Sequence, residues 1–134
     1  MFQPIVQRSY LFEVNLTTIS AGQVYNLTVA PQILLDAKVV GLKCFTASDM
    51  AKSPNQSTVV SDSGATNISF TLQCGSDQRI FSAAYLDYRP AFNSGAVRTF
   101  DPMVINWSKS FVQIYGITGL SAGQSVIFEA IYTL

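Results

Sequence analysis

The chain has 134 residues, the size of one domain that can close a core without metal or disulfide staples. Apolar residues make up 49% and charged residues 12%, about half the usual charged share of roughly 25%, which excludes a disordered chain and leaves little charge to dress an exterior. Eight Lys or Arg balance eight Asp or Glu and none forms a run, so no basic arm is expected for direct nucleic acid binding or for charge-driven attachment to a membrane surface.

Residues 1–8, MFQPIVQR, lack a basic segment followed by an apolar stretch, and no run approaches about 18 apolar residues, so neither secretion nor membrane insertion is expected. Strand signals recur at short intervals, and no apolar set repeats at helical spacing over three turns. Helix is expected to be nearly absent. The first strand is predicted over residues 8–16, with Tyr10, Phe12, Val14 and Leu16 on one face. The second covers residues 23–30, groups Tyr25, Leu27 and Val29, and stops at Pro31, which cannot donate to a ladder. Residues 38–46 form the third, with Val40, Leu42 and Cys44 sharing a face and Val39 and Phe45 opposite, as in a central or covered strand. The fourth, residues 66–74, alternates through Ile68, Phe70, Leu72 and Cys74, and the fifth covers residues 79–86. Strands six to eight are placed at residues 103–106, 110–115 and 125–133. The last has Val126, Phe128, Ala130 and Tyr132 on one face and Ile127 and Ile131 on the other. Strands with polar turns and no crossover helices predict an all-β fold, an eight-stranded antiparallel β-sandwich of the single jelly-roll kind, as one domain over residues 1–134.

Two connections are long, residues 48–65 and 87–101, and both are read as surface loops from their Ser, Asp, Asn, Gly and Pro content. In a jelly roll they emerge at the same end, beside the connections that follow the first strand and precede the last. The tetrapeptide Ser-Ala-Gly-Gln occurs twice, at residues 20–23 and 121–124, each time ahead of a strand. It reads as one turn used twice, with Gly22 and Gly123 supplying a positive φ.

The sequence contains no histidine, which removes the usual Ser-His-Asp and Cys-His nucleophiles and histidine metal sites. Asp49, Asp62, Asp77, Asp87 and Asp101 sit in or beside loops, where aspartates cap turns more often than they catalyse. No phosphate-binding glycine loop is present, so no catalytic, metal or cofactor site is expected. Cys44 and Cys74 are too few and too far apart for a zinc module or a disulfide framework, which fits a reducing compartment. Both fall on the core phase of their strands and read as inert buried thiols, with a disulfide left open should the two strands meet. Tyr85, Tyr88, Arg89 and Phe92, with Trp107, are the candidate partner contacts, because Tyr, Trp and Arg anchor interfaces and stack on sugars. Closing the end of the core is the competing role for Tyr85 and Phe92. Five Asn-x-Ser/Thr sequons, at Asn15, Asn26, Asn55, Asn67 and Asn106, fall mostly inside predicted strands and read as by-products of composition.

Eight strands filling nearly the whole chain, the late Ser-Ala-Gly-Gln turn and the final segment SVIFEAIYTL at residues 125–134 resemble the small single jelly-roll proteins of icosahedral virions, above all penton and minor capsid proteins of tailless bacteriophages. The resemblance implies a structural protein of the virion, made in the host cytoplasm, whose identical subunits form a closed ring, a pentamer at the fivefold vertex. It further implies neighbouring capsid proteins and a spike protein as partners, with no direct nucleic acid contact and no membrane insertion. The alternative is a lectin-like or receptor-binding jelly-roll module that uses the loops at one end, with Tyr88 and Arg89 as contacts. A cupin-like or glycosidase-like enzyme suffers from the missing histidines and scarce carboxylates.

Overall fold

The computed structural model describes residues 6–27, 34–49, 58–89 and 98–133. Among the described residues eight strands follow one another: β1 (Arg8–Asn15), β2 (Val24–Asn26), β3 (Lys38–Phe45), β4 (Ile68–Cys74), β5 (Asp77–Ala84), β6 (Arg98–Val104), β7 (Phe111–Ile114) and β8 (Ser125–Thr133). They pair antiparallel into two four-stranded sheets, in the orders β1-β8-β3-β6 and β2-β7-β4-β5, which makes the fold an all-β sandwich.

The alternation of β1, β4 and β8 is the reason for this arrangement. With a period of two, a strand buries one set of side chains and offers the other to solvent. Phe12 and Val14 of β1, Ile68, Phe70 and Leu72 of β4, and Val126, Phe128, Ala130 and Tyr132 of β8 are all buried. Phe128 ties the layers together: its ring lies 5.6 Å from Phe12 in its own sheet and 5.6 Å from Phe70 in the facing one. Burying such a side chain contributes about 2–3 kcal/mol, and the edge-to-face contact with Phe70 adds roughly 0.5–1.5 kcal/mol.

Several expectations are corrected. Val39, not Val40, joins Leu42 and Cys44 in the core, because a bulge between Val39 and Gly41 shifts the register against both β6 and β8 and reverses the phase. The sixth strand begins at Arg98 rather than residue 103. It is an edge strand with a register shift of its own, where Pro102 loses no ladder bond that matters. The second strand shortens to Val24–Asn26, and the expectation for Val29 lies outside the described residues. Residues 58–65 are not purely surface loop. Val59, Val60 and Ala65 are buried, and the Val60 N–H donates to the Ser125 carbonyl at 3.0 Å. One helical turn, α1 (Asp62–Ala65), follows, started by the Ser61 hydroxyl accepting from the Gly64 N–H at 3.1 Å.

Candidate functional site

The described parts of four connections meet at one end of the sandwich: residues 16–23, residues 46–49 and 58–67, residues 85–89, and residues 115–124. The two Ser-Ala-Gly-Gln segments are turns of the same kind. Gln23 N–H donates to the Ser20 carbonyl and Gln124 N–H to the Ser121 carbonyl, with Gly22 at φ +87° and Gly123 at φ +93°. Each glycine then reaches across to another strand's end, Gly22 N–H to the Ile114 carbonyl at 2.7 Å and Gly123 N–H to the Leu16 carbonyl at 2.8 Å. The Asn67 side-chain amide donates to the Thr118 carbonyl at 2.7 Å. Gly64 abuts Gly119 so closely that an added Cβ would lie 2.5 Å from the Gly119 oxygen.

Polar groups at this end form one network. Arg89 Nε lies 3.0 Å from Asp49 Oδ2 and its Nη2 lies 3.3 Å from Asp62 Oδ2. The Thr46 N–H donates to Asp49 at 2.9 Å, the Thr46 hydroxyl to Asp62 Oδ1 at 2.5 Å, and the Ser48 hydroxyl to Asp62 Oδ2 at 2.6 Å. The Ser48 hydroxyl first, then Thr46, with Arg89 adding attraction, hold the Asp62 carboxyl below the usual aspartate range. The Arg89 guanidinium is occupied by two carboxylates and both carboxylates are held by donors, so the cluster reads as a clamp between loops and not as an acid-base pair.

The candidate contacts are placed as follows. Tyr85 is fully buried on a 3-10 turn (Tyr85–Tyr88), where its hydroxyl donates toward the Phe45 carbonyl and accepts from the Ile127 N–H at 3.0 Å. Burial pushes its phenol well above the ordinary range. Tyr88 is buried with its ring edge-on to Phe70 at 4.9 Å. Trp107 is buried and donates its indole N–H to the Leu34 carbonyl at 3.0 Å. These three side chains face the core, and Arg89 is the clamp's cation. Phe92 lies outside the described residues. The four described candidates do not form one exposed patch.

No protein-family model, curated protein or solved structure matches this chain. What its surfaces can do follows from their own chemistry.

The two outer faces differ. On the β1-β8-β3-β6 sheet, Lys43 and Glu129 sit opposite one another with 3.8 Å between charged atoms. Strands β2, β4 and β7 carry no ionisable acid or base other than tyrosine and cysteine, and β5 carries charge only at Asp77 and Arg79. Here the chain also exposes aromatics. The β4–β5 register runs from Phe70↔Ala83 to Leu72↔Ile80, so Phe81 and Ser82 together oppose Thr71. Ser82 takes φ +49°, held by its N–H on Thr71 Oγ1 at 3.0 Å and its hydroxyl 2.6 Å from the Tyr115 hydroxyl. The bulge turns Phe81 outward at 69% exposure beside Tyr115 at 56%. Sequence reasoning passed over this feature, because a bulge has no alternation of its own to reveal it.

Between the edge strands β5 and β6, a cleft of about 230 Å³ is lined by Cys74, Arg79, Ile80, Phe100, Asp101, Pro102 and Met103. Cys44 is buried, its thiol pushed up by desolvation, and Cys74 is half-buried; both are free thiols. Among the described residues no group of three or more His, Cys, Asp or Glu could hold a metal, and no helix is long and apolar enough to cross a membrane.

Proposed function

We propose that the chain is a structural virion protein, a single jelly roll whose identical copies form a symmetric ring, a pentamer at a capsid vertex, in contact with neighbouring capsid proteins and a spike. The strand orders β1-β8-β3-β6 and β2-β7-β4-β5 support the jelly-roll reading, because they interleave the chain's two halves across both sheets as that topology requires. The observation that carries the functional reading is the sheet face with almost no ionic groups, which exposes Phe81 and Tyr115 while the molecule's charged share is only 12%. A face of that composition is better covered by a neighbour than by water. Burial of Tyr85, Tyr88 and Trp107, and engagement of Arg89 by Asp49 and Asp62, weigh against a lectin-like use of the rim. Negative-stain electron microscopy of the purified chain tests the proposal. Rings of uniform diameter are expected; scattered single domains together with selective binding on a glycan array would replace it with the receptor-binding module.

A further inference from the structure

The four sheet edges are protected unequally. β2 has only three residues, β5 carries Arg79 and two register shifts against β4, and β6 contains Asp101, Pro102 and a shift against β3. Short length, charge, proline and bulges are the devices that keep an edge from recruiting another strand. β1 is long and carries no proline and no bulge against β8, and its charge is limited to Arg8 and Glu13. It pairs with β8 in unbroken register over all eight residues, from Arg8↔Tyr132 to Asn15↔Ser125. Its side chains at positions 8–11 are all exposed, with Tyr10 at 42% and Leu11 at 46%.

The hydrogen-bond phase of this edge can be read from its end. Leu16 turns both main-chain groups to the β8 side, its N–H to the Gln124 carbonyl at 2.7 Å and its carbonyl to the Gly123 N–H at 2.8 Å. Antiparallel ladders alternate, so residues 14, 12 and 10 also bond to β8 while Ser9, Leu11, Glu13 and Asn15 direct their N–H and C=O groups outward. A second β1 can satisfy that row. Related by a twofold axis through Leu11, two copies set Leu11 against Leu11, Tyr10 against Phe12, Ser9 against Glu13 and Arg8 against Val14. No like charges then oppose one another, and the faces match, since opposed residues of an antiparallel pair point to the same side.

We infer that β1 is a self-pairing edge, through which a second copy of this chain extends the β1-β8-β3-β6 sheet into one of eight strands. This goes beyond the ring reading. A ring joins two different patches head to tail, whereas this contact uses the same patch twice and adds about six main-chain hydrogen bonds without using the Phe81 face.

The test combines sedimentation with cross-linking. Leu11→Lys puts a charge on its own twofold mate and is expected to weaken pairwise association at least about tenfold. In a Cys74→Ser background, Leu11→Cys should oxidise to a covalent dimer, because a hydrogen-bonded antiparallel pair places Cα atoms about 5.5 Å apart, within disulfide reach. Glu13→Cys should stay uncoupled, since position 13 faces position 9. In the unsubstituted chain, amides of residues 9, 11, 13 and 15 should gain exchange protection with rising concentration, which keeps the test open if a variant fails to fold. Association unchanged by Leu11→Lys, with those four amides exchanging at one rate at every concentration, would overturn the edge pairing. A five-copy species surviving Leu11→Lys with the same exchange result would overturn it and leave the ring intact.

Discussion

The Tyr85 hydroxyl sits where β3 and β8 run side by side, close to the Phe45 carbonyl and accepting from the Ile127 N–H. A buried main-chain group left without a partner costs about 1–3 kcal/mol, whereas the ring itself is only packing. Tyr85→Phe should therefore lower unfolding stability by roughly that amount in urea titration while the fold is retained; a change within about 0.5 kcal/mol would show that the hydroxyl is dispensable. The aromatic residues also mark the limit of what the sequence discloses. Interface-forming and core-closing tyrosines have the same composition, and only the neighbours that satisfy the hydroxyl decide between them. Trp107 is the same case, its indole N–H matched by the Leu34 carbonyl from a distant part of the chain. Gly22 and Gly123 were legible because the demand is local: nothing stands within 4 Å of an added Cβ at either, so the positive φ alone explains glycine there.

Among the elements, β1, β4 and β8 were readable because their apolar period is unbroken, and β8 was placed to the residue at 125–133. β3 misled by one position at Val39 because a bulge inserts a residue without any compositional mark. The one-turn helix at Asp62–Ala65 and the buried pair Val59 and Val60 were hidden in a polar loop, since their burial depends on β8 arriving from the far end of the chain. The clamp joining these loops has a pH signature. Asp62 is held below the ordinary aspartate value, so around that value the unfolded chain binds more protons than the folded one. Its contribution is complete above about pH 4 and is lost as the pH falls through the depressed folded value. Carboxyl NMR should find Asp62 titrating below ordinary aspartate, and Ser48→Ala should raise it, because the Ser48 hydroxyl is the largest cause. A carboxyl titrating at or above the ordinary value would remove the clamp from the account.

For the whole molecule, the decisive feature is where charge is missing. Eight cations and eight anions leave one sheet with the Lys43–Glu129 pair on β3 and β8, and confine the charge of the other to the exposed Asp77–Arg79 pair at the start of its edge strand β5. The low charged share was plain from composition, but its concentration on one face, around a bulge that displays Phe81, needed the strand order to become visible. Association through such surfaces rests on apolar burial and main-chain hydrogen bonding, which added salt does not screen. Sedimentation equilibrium from low to high micromolar concentration, at about 0.05 M and 0.5 M salt, tests this most directly. The account predicts reversible growth from the 14.6 kDa chain to discrete multiples of it, unaffected or strengthened by salt. A single 14.6 kDa species throughout, or assemblies that dissolve at the higher salt, would contradict it.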